Sequence, residues 1–357
     1  MKIVADDEIA AVAELFAQCG ELQLLPGREI SRAHLKDADA LLIRSVTRVD
    51  AELLKDTPVR FVGTATSGIN HIDVDYLNAN NIRFSDTKGS NAETVADYCM
   101  AALAFLMRSG EQTQDKQQTQ QHTQHNLNLE HTTIGIVGAG CVGSALYQRL
   151  HDLGLKPLVC DPPLEESKES NKNYTYTSLD ELMRCDVVSL HVPLTTTGKH
   201  PTLNLIDKHK LALLGDKAVL LNTCRGGVVN ETHLKAALTA RPGLRCVLDV
   251  WCNEPDVDPA LVAQATLATP HLAGYSIQAK HNAAKQLLAA LQSTPIACDK
   301  DIQQPPLSCS DLTTLSEQFK ASVAAGRAVA DFDRFRREML TRQPIDDNPE
   351  APAPARQ

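Results

Sequence analysis

Residues 134–143 read IGIVGAGCVG, an apolar run followed by three glycines in the spacing Gly-x-Gly-x-x-Gly. The spacing alone is a weak signal, but an apolar strand before it and an amphipathic helix through Leu150 after it provide the context of a dinucleotide fold. In that fold Gly138 permits a tight turn, Gly140 lets the backbone approach a pyrophosphate, and Gly143 lets helix and strand pack closely. The helix N-terminus then presents free N–H groups to the phosphates. This stretch predicts a parallel-sheet domain that binds a dinucleotide.

A carboxylate lies where such a fold places the ligand of the adenosine ribose. The next predicted strand, residues 157–160, ends at Asp161, which is 18 residues after Gly143. A carboxylate at this position binds the ribose hydroxyls and repels a 2′-phosphate. The sequence therefore favours NAD over NADP, although Asp161 could instead be a turn residue before Pro162.

Short apolar runs alternate with helical stretches on both sides of the glycine loop. The strand-like runs are residues 2–5, 39–45, 59–68, 133–137, 157–160, 186–190, 218–222 and 246–249. Helical patterns cover residues 9–18, 91–108 and 276–292, and most of the segment after residue 308. Repeated strand–helix–strand units imply parallel sheets with right-handed crossovers, whose ligands bind beyond the carboxyl ends of the strands.

The chain has 357 residues, too many for one ordinary core, so we divide it into domains. We expect an α/β fold with two Rossmann-like, doubly wound parallel-sheet domains and a small C-terminal α/β segment. The predicted units are a substrate-binding, flavodoxin-like domain over 1–100 and 271–295, an NAD-binding Rossmann domain over 101–270, a C-terminal segment over 296–342 and a disordered tail over 343–357.

Composition and charge restrict the class of protein. The chain is 43% hydrophobic and 22% charged, which is a globular composition, and its net charge of −9 disfavours nonspecific binding to nucleic acid. No apolar run is long enough for a membrane span, and the N-terminus lacks the apolar region of a signal peptide. We therefore expect a cytoplasmic protein. Its ten cysteines form no Cys-x-x-Cys pair, so most should be buried thiols.

Three histidines lie close together in a stretch that is rich in Gln and Thr. They are His122, His125 and His131, within residues 112–131. No set of carboxylates or cysteines converges with them, so a polar surface loop or helix extension is favoured over a metal site. We expect no metal in this protein.

An arginine, a glutamate and a histidine lie in that order beside the later predicted strands. Arg225 follows the strand 218–222, Glu254 lies in the run DVWCNEP, and His271 follows a proline. An arginine can bind a carboxylate through two parallel hydrogen bonds, a histidine can take a hydroxyl proton, and a glutamate can orient that histidine. These are the groups that oxidation of a 2-hydroxy acid needs.

Each member of this trio also has a structural alternative. His271 could cap the helix that follows residue 275, Glu254 could be a solvated turn acid, and Arg225 could bind a helix C-terminus. The order of the three residues downstream of a dinucleotide motif favours the catalytic interpretation.

Five short stretches resemble those of the D-isomer-specific 2-hydroxyacid dehydrogenases. They are RSVT at 44–47, FVGTAT at 61–66, CDPP at 160–163, VLDVW at 247–251 and HLAGY at 271–275. The resemblance covers roughly residues 1–295, and it is much more specific than the glycine loop. On these residues the sequence is identified as a member of that family.

The resemblance implies roles for individual residues. It implies that the catalytic residues are Arg225, Glu254 and His271. With the glycine loop, the predicted NAD contacts are Gly138, Gly140, Cys141, Val142, Gly143, Asp161, Thr223, Cys224, Arg225, Asp249 and Gly274. The implied substrate contacts are Ser45, Thr66 and Tyr275, although Tyr275 could merely pack.

The resemblance also implies a substrate and a partner. The substrate would be a phosphorylated four-carbon 2-hydroxy acid, oxidised at C2 by NAD, and the partner a second copy of the chain, bound through the C-terminal segment. Arg44 is a candidate phosphate ligand because of its charge and its strand-end position. A related dehydrogenase of glycerate, lactate or phosphoglycerate stays open, and so does an NAD-sensing corepressor-like binding protein, which the acidic net charge disfavours.

Overall fold

The computed structural model describes residues 1–66, 68–108, 131–167, 173–293 and 307–341. Its strands form a five-stranded and a seven-stranded sheet, and the strand pairs in both sheets are parallel. The predicted α/β fold with two doubly wound sheets is therefore confirmed. Predictions for residues 112–130, for residues 296–306 and for a disordered tail over 343–357 lie outside the described residues.

The first sheet is built from the N-terminal part of the chain. Its strands are β1 (Lys2–Asp6), β2 (Glu21–Leu25), β3 (Ala40–Ile43), β4 (Phe61–Thr64) and β5 (Arg83–Ser85). They lie in the order β2-β1-β3-β4-β5, so the direction of winding reverses between β1 and β3. Such a reversal opens a crevice at the carboxyl ends of the two strands, where ligands of open α/β sheets bind.

The second sheet follows the glycine loop. Its strands are β6 (Ile134–Val137), β7 (Leu158–Cys160), β8 (Thr175–Tyr176), β9 (Val187–Leu190), β10 (Val219–Asn222), β11 (Arg245–Leu248) and β12 (Leu267–Ala268). Their order is β12-β11-β10-β9-β6-β7-β8, with the reversal between β6 and β9. This is the strand order of a dinucleotide-binding sheet, extended by one strand at one edge.

Helices cover the faces of both sheets. They are α1 (Val12–Phe16), α2 (Ala51–Leu54), α3 (Val74–Ala79), α4 (Ala92–Arg108), α5 (Cys141–Asp152), α6 (Pro162–Glu165), α7 (Leu179–Leu182), α8 (Lys208–Leu213), α9 (Glu231–Ala240), α10 (Pro259–Gln264), α11 (Ile277–Gln292), α12 (Cys309–Ala324) and α13 (Ala328–Thr341). Within the described ranges no helix is long and apolar enough to cross a bilayer.

The two long connecting helices divide between the sheets. Helix α4 packs along α5 in the core of the second sheet, so the predicted domain boundary after residue 100 falls inside one helix. Helix α11 returns to the first sheet, where Leu287 lies against Gly63 of β4. An ideal Cβ on Gly63 would approach a Leu287 methyl carbon to 2.9 Å, so the missing side chain lets helix and strand pack closely.

The C-terminal segment departs from its prediction. We expected a small α/β unit, but its described part, residues 307–341, is helical and contains no strand. Helix α12 lies on the edge strand β12, where the Ser316 hydroxyl accepts a hydrogen bond of 2.9 Å from the Ala268 N–H. A helix that satisfies edge-strand groups removes a site of unwanted strand pairing. The dimerisation role of this segment stays a prediction.

An aromatic cluster fixes the two C-terminal helices to the second domain. Phe319 of α12 is 0% exposed, and its ring centroid lies 6.0 Å from that of Trp251. Phe332 and Phe335 of α13 approach the same ring in edge-on geometry, each with a centroid distance of 6.1 Å. These edge-on contacts add to the apolar area that the cluster buries.

We expect Phe319→Ala to lower the free energy of unfolding by about 3–5 kcal/mol, because it leaves a cavity among the three remaining aromatic rings. Chemical denaturation followed by Trp251 fluorescence should show a lower midpoint. Val329→Ala, at a site that is 57% exposed on α13, is the matched control and should change the midpoint little. A Phe319→Ala midpoint equal to that of the control would mean that α12 is not part of the cooperative core.

Candidate active site

The predicted NAD contacts gather at one edge of the second sheet. The strands β6, β9, β10 and β11 are neighbours and parallel, so their carboxyl ends open on the same side. The glycine loop follows β6, His191 follows β9, Thr223 follows β10 and Asp249 follows β11. This is the crevice where open α/β sheets bind their ligands.

The three glycines fit a dinucleotide, each for a different reason. Gly138 has φ +87, and an ideal Cβ there would lie 2.6 Å from the carbonyl oxygen of His191. A Cβ on Gly143 would lie 2.0 Å from the carbonyl oxygen of Gly138, so helix and turn can pack only without it. A Cβ on Gly140 would meet nothing within 4 Å, so the loop is open at the start of α5. Open space in front of free helix N–H groups suits a pyrophosphate.

The other predicted contacts of the glycine loop have different surroundings. Cys141, the first residue of α5, is exposed, and Val142 is half-buried. Asp161 accepts a hydrogen bond of 2.8 Å from the Ala139 N–H and one of 3.0 Å from the Leu164 N–H. It therefore holds the loop to the start of α6, and each oxygen keeps a lone pair for a further donor. Its contact with the ribose stays a prediction.

Arg225 lies on a loop that is shaped by Asn222. The Asn222 amide oxygen accepts from the Cys224 N–H at 3.2 Å, and its amide nitrogen donates to the Arg225 carbonyl at 3.1 Å. Thr223 and Cys224 are both 8% exposed, so each offers little surface to a ligand, and their NAD contacts stay predictions.

The guanidinium of Arg225 points toward the first sheet. Its Nη1 donates to the Cys224 carbonyl at 2.6 Å, and its Nη2 would lie 3.2 Å from an ideal Cβ on Gly68. Gly68 belongs to the loop after β4, so this cation lies in the cleft between the two sheets. A guanidinium there can offer its remaining N–H groups to a carboxylate.

Glu254 and His271 form a close pair. The Glu254 Oε2 lies 2.6 Å from the His271 Nδ1, and the Oε1 accepts from the Trp251 N–H at 2.8 Å. An ionised Glu254 places the ring proton of the neutral histidine on Nδ1, which leaves Nε2 as the acceptor. His271 is half-buried, so Nε2 can face a ligand.

The loop that carries His271 is held by Asp249, which is 1% exposed. Its carboxylate accepts from the Thr269 hydroxyl at 2.7 Å, from the Leu272 N–H at 2.8 Å and from the Ala273 N–H at 2.9 Å. Burial raises the pKa of Asp249, while His271 and these hydrogen bonds lower it. The predicted NAD contact of Asp249 stays a prediction, and the structure gives this residue a positioning role.

A glycine brings the Arg225 and Glu254 loops into contact. An ideal Cβ on Gly226 would lie 2.0 Å from the Trp251 carbonyl oxygen and 2.5 Å from the Cys252 nitrogen. No larger residue could occupy this position without separating the two loops. The predicted trio is therefore assembled by direct backbone contact between its loops.

The predicted substrate contacts lie on both sides of the cleft. Ser45 is exposed after β3. The Thr66 hydroxyl donates to the Gly68 carbonyl at 2.9 Å, beside the guanidinium of Arg225. Tyr275 is half-buried. It follows Gly274, and an ideal Cβ on Gly274 would lie 2.4 Å from the Asn91 amide nitrogen. The substrate contacts of Ser45, Thr66 and Tyr275 stay predictions, and so does the NAD contact of Gly274.

His191 was not predicted from the sequence, and Asn222 was placed at the NAD-binding strand end without the prediction that its side chain shapes the next loop. Asn222 shapes the Arg225 loop, and His191 lies beside Gly138, with its Nε2 2.8 Å from the Ser189 hydroxyl. Burial lowers the pKa of His191 to about 4, so its ring is neutral at pH 7. Both are polar residues at or just after a strand end on the ligand edge, and this position was the available signal.

Among the described residues, no group of three or more His, Cys, Asp or Glu side chains is placed to hold a metal ion. His122 and His125 lie outside those residues, and His131 is exposed.

We expect Gly143→Ala to weaken NAD binding about tenfold or more, because its Cβ would clash with the Gly138 carbonyl and displace the loop. Titration with NADH, followed by its fluorescence, measures the affinity. Gly215→Ala is the matched control, since a Cβ there meets nothing within 4 Å. Equal affinities in the two variants would contradict the fit between this loop and the dinucleotide.

Comparisons with known proteins agree with this geometry. The family model "D-isomer specific 2-hydroxyacid dehydrogenase, NAD binding domain" matches residues 98–273. The erythronate-4-phosphate dehydrogenase of Hahella chejuensis is 43% identical over 280 residues, 78% of this chain and 68% of that protein. The protein of the same name from Chromohalobacter salexigens is 38% identical over 357 residues, 95% of this chain and 87% of that protein.

A solved structure supports the fold. The D-lactate dehydrogenase of Aquifex aeolicus, complexed with NAD and lactic acid, superposes with a TM-score of 0.65 over 82% of this chain and 95% of that chain, at 23% identity. The glycine loop, the parallel sheet and the Arg–Glu–His trio thus occur in a chain whose relatives named above are dehydrogenases. The chain belongs to the D-isomer-specific 2-hydroxyacid dehydrogenase family and is an NAD-dependent dehydrogenase.

Proposed function

We propose that the chain oxidises 4-phospho-D-erythronate at C2 with NAD, giving (R)-3-hydroxy-2-oxo-4-phosphooxybutanoate, in the biosynthesis of pyridoxal 5′-phosphate. The observation that carries the chemistry is the 2.6 Å pair of Glu254 and His271 at the ligand edge of the sheet. The choice of substrate is supported by the relatives named erythronate-4-phosphate dehydrogenase, at 38–43% identity.

His271 is the base of the proposed reaction. Its Nε2 takes the proton of the C2 hydroxyl, while Nδ1 stays bonded to Glu254 at 2.6 Å. The imidazolium that forms is stabilised by the adjacent carboxylate, which also fixes the plane of the ring. In the reverse direction the same Nε2 returns the proton to the carbonyl oxygen.

Arg225 orients the substrate. Its guanidinium binds the C1 carboxylate and stabilises the charge that develops on the C2 oxygen as the proton leaves. The contact between its Nη1 and the Cys224 carbonyl limits the freedom of the side chain before the substrate arrives. The glycine loop and Asp161 would hold NAD, which would supply the hydride acceptor for C2.

The proposal also covers the assembly and the location of the protein. As the sequence leads us to expect, the chain would form a homodimer through its C-terminal segment and would be cytoplasmic. Sedimentation of the full chain would measure the first, and fractionation of cells would measure the second.

We expect His271→Asn to lower kcat by about 10²–10⁴, because asparagine cannot accept the hydroxyl proton. NAD affinity should change less than about twofold, since the side chain is not part of the glycine loop. His209→Asn, at an exposed histidine on α8, is the control. Lost NAD binding in His271→Asn would indicate a structural residue instead of a base.

The function is tested by following NADH absorbance with a panel of 2-hydroxy acids and NAD, in the presence of a reagent that traps the 2-oxo product. The panel contains 4-phospho-D-erythronate, D-glycerate, D-lactate and 3-phospho-D-glycerate. We expect the highest kcat/KM with 4-phospho-D-erythronate. A higher value for another acid would reassign the substrate, and no turnover with any of them would overturn the proposal.

A further inference from the structure

Two cations from distant parts of the chain meet at one aromatic ring. The Nζ of Lys280, in the first turn of α11, lies 4.9 Å from the ring centroid of Tyr275. The Cζ of Arg336, on α13, lies 4.6 Å from the same centroid. A cation near an aromatic face is stabilised by the ring, but two like charges that share one ring also repel each other.

A third cation is fixed nearby at the switch point of the first sheet. Arg44 follows β3, and its Nε pairs at 3.0 Å with Asp6, the last residue of β1, which is 0% exposed. Its Nη1 lies 2.8 Å from Glu8, an exposed side chain. The charge of Arg44 is therefore balanced by Asp6, and its electrostatic field reaches Lys280.

Lys280 and Arg336 are poorly compensated. In the part of the chain that the structure describes, the Nζ of Lys280 has neither an ion pair nor a hydrogen bond. Burial lowers the pKa of Lys280, and the charges of Arg44 and Arg336 lower it further, while Glu8 raises it. Two half-buried positive charges near each other destabilise the free protein. A bound anion would offset their repulsion.

The guanidinium of Arg336 is also only partly hydrogen-bonded among the described residues. Its Nε is buried and has no hydrogen-bond partner among the described residues, and its Nη1 reaches Asp333 only at 3.5 Å. An N–H group left without a partner costs about as much as a lost hydrogen bond. An oxyanion that contacts the Lys280 ammonium and the guanidinium of Arg336 would balance the two charges that meet at the Tyr275 ring.

The position of these cations relative to the trio suits the far end of a substrate. Tyr275 is the fourth residue after His271, and Ser45 is the residue after Arg44. Strands β3 and β4 are neighbours, and Arg225 approaches Gly68 after β4. Neighbouring strands lie about 4.8 Å apart, so Arg44, at the end of β3, is about one strand spacing from the loop that Arg225 contacts. Lys280 and Arg336 join this region through the Tyr275 ring, and Lys280 lies within the electrostatic field of Arg44.

We infer that Lys280 and Arg336, with Arg44 and Tyr275, bind the terminal phosphate of the substrate, and that the C-terminal helix α13 thereby completes the substrate site. This inference rests on the proposed function, because it assigns the phosphate of that substrate to these side chains. It makes the two cations determinants of specificity for a phosphorylated acid over an unphosphorylated one.

The experiment compares Lys280→Gln and Arg336→Gln with the full-length wild type, using 4-phospho-D-erythronate and D-erythronate. Each variant should raise KM for the phosphorylated acid about tenfold to hundredfold, because each removes a charge-assisted hydrogen bond. The kcat, the affinity for NAD and kcat/KM with D-erythronate should stay close to the wild-type values. Arg336→Lys should recover part of the loss, since it keeps the charge.

Arg337→Gln is the matched control, because this neighbour on α13 is exposed. Unchanged KM for the phosphorylated acid in both Lys280→Gln and Arg336→Gln would overturn the inference and leave the proposed function intact. An equal loss with both acids would also overturn it, since that pattern indicates a general distortion. A wild type that shows no preference for the phosphorylated acid would instead contradict the proposed function itself.

A measurement on the wild type covers the case in which a variant does not fold. Inorganic phosphate should inhibit the oxidation of 4-phospho-D-erythronate competitively, because both would bind at the phosphate position. It should not compete with D-erythronate, because the unphosphorylated acid leaves that position free. Absence of competition at phosphate concentrations well above the KM of the substrate would overturn the inference.

Discussion

The active site depends on one buried carboxylate. Asp249 accepts hydrogen bonds from the Thr269 hydroxyl and from two N–H groups of the loop, and its own carbonyl accepts from the His271 N–H at 2.6 Å. These hydrogen bonds hold the loop although His271 has a left-handed backbone, φ 52, which costs about 1–2 kcal/mol in a residue other than glycine. The protein itself therefore fixes the position of the His271 ring.

Direct contact between two backbone segments brings the loops of Arg225 and Glu254 together. Gly226 lets the Arg225 loop touch the backbone at Trp251, and the Trp251 N–H in turn holds Glu254 at 2.8 Å. The guanidinium of Arg225 and the imidazole of His271 are therefore positioned by loops of the second domain that contact each other directly. The first domain contributes the loop at Gly68, where an ideal Cβ would lie 3.2 Å from the Nη2 of Arg225.

The sequence predicted those parts that depend on local pattern. Buried strands such as β3 and β9 read as apolar runs, and the glycine spacing predicted the shape of the loop after β6. The four edge strands of the two sheets were not predicted. Strands β2 and β5 have exposed residues, and β8 and β12 have only two residues each, so none has a distinctive pattern. The positioning role of Asp249 and the approach of Arg336 to Tyr275 depend on long-range packing, so no spacing in the sequence could show them.

Trp251 lies between the C-terminal helices and the loop that carries His271. The Trp251 ring packs on Phe319 of α12, while its Nε1 donates at 2.9 Å to the Thr269 carbonyl, in the loop that carries His271. Burial of Phe335 in the same cluster sets the orientation of α13, which directs the neighbouring Arg336 to the Tyr275 ring. The packing that covers the edge strand thus also supports the loop of His271 and brings Arg336 to the Tyr275 ring. The two C-terminal helices are therefore part of the surroundings of the candidate active site, in addition to covering the second sheet.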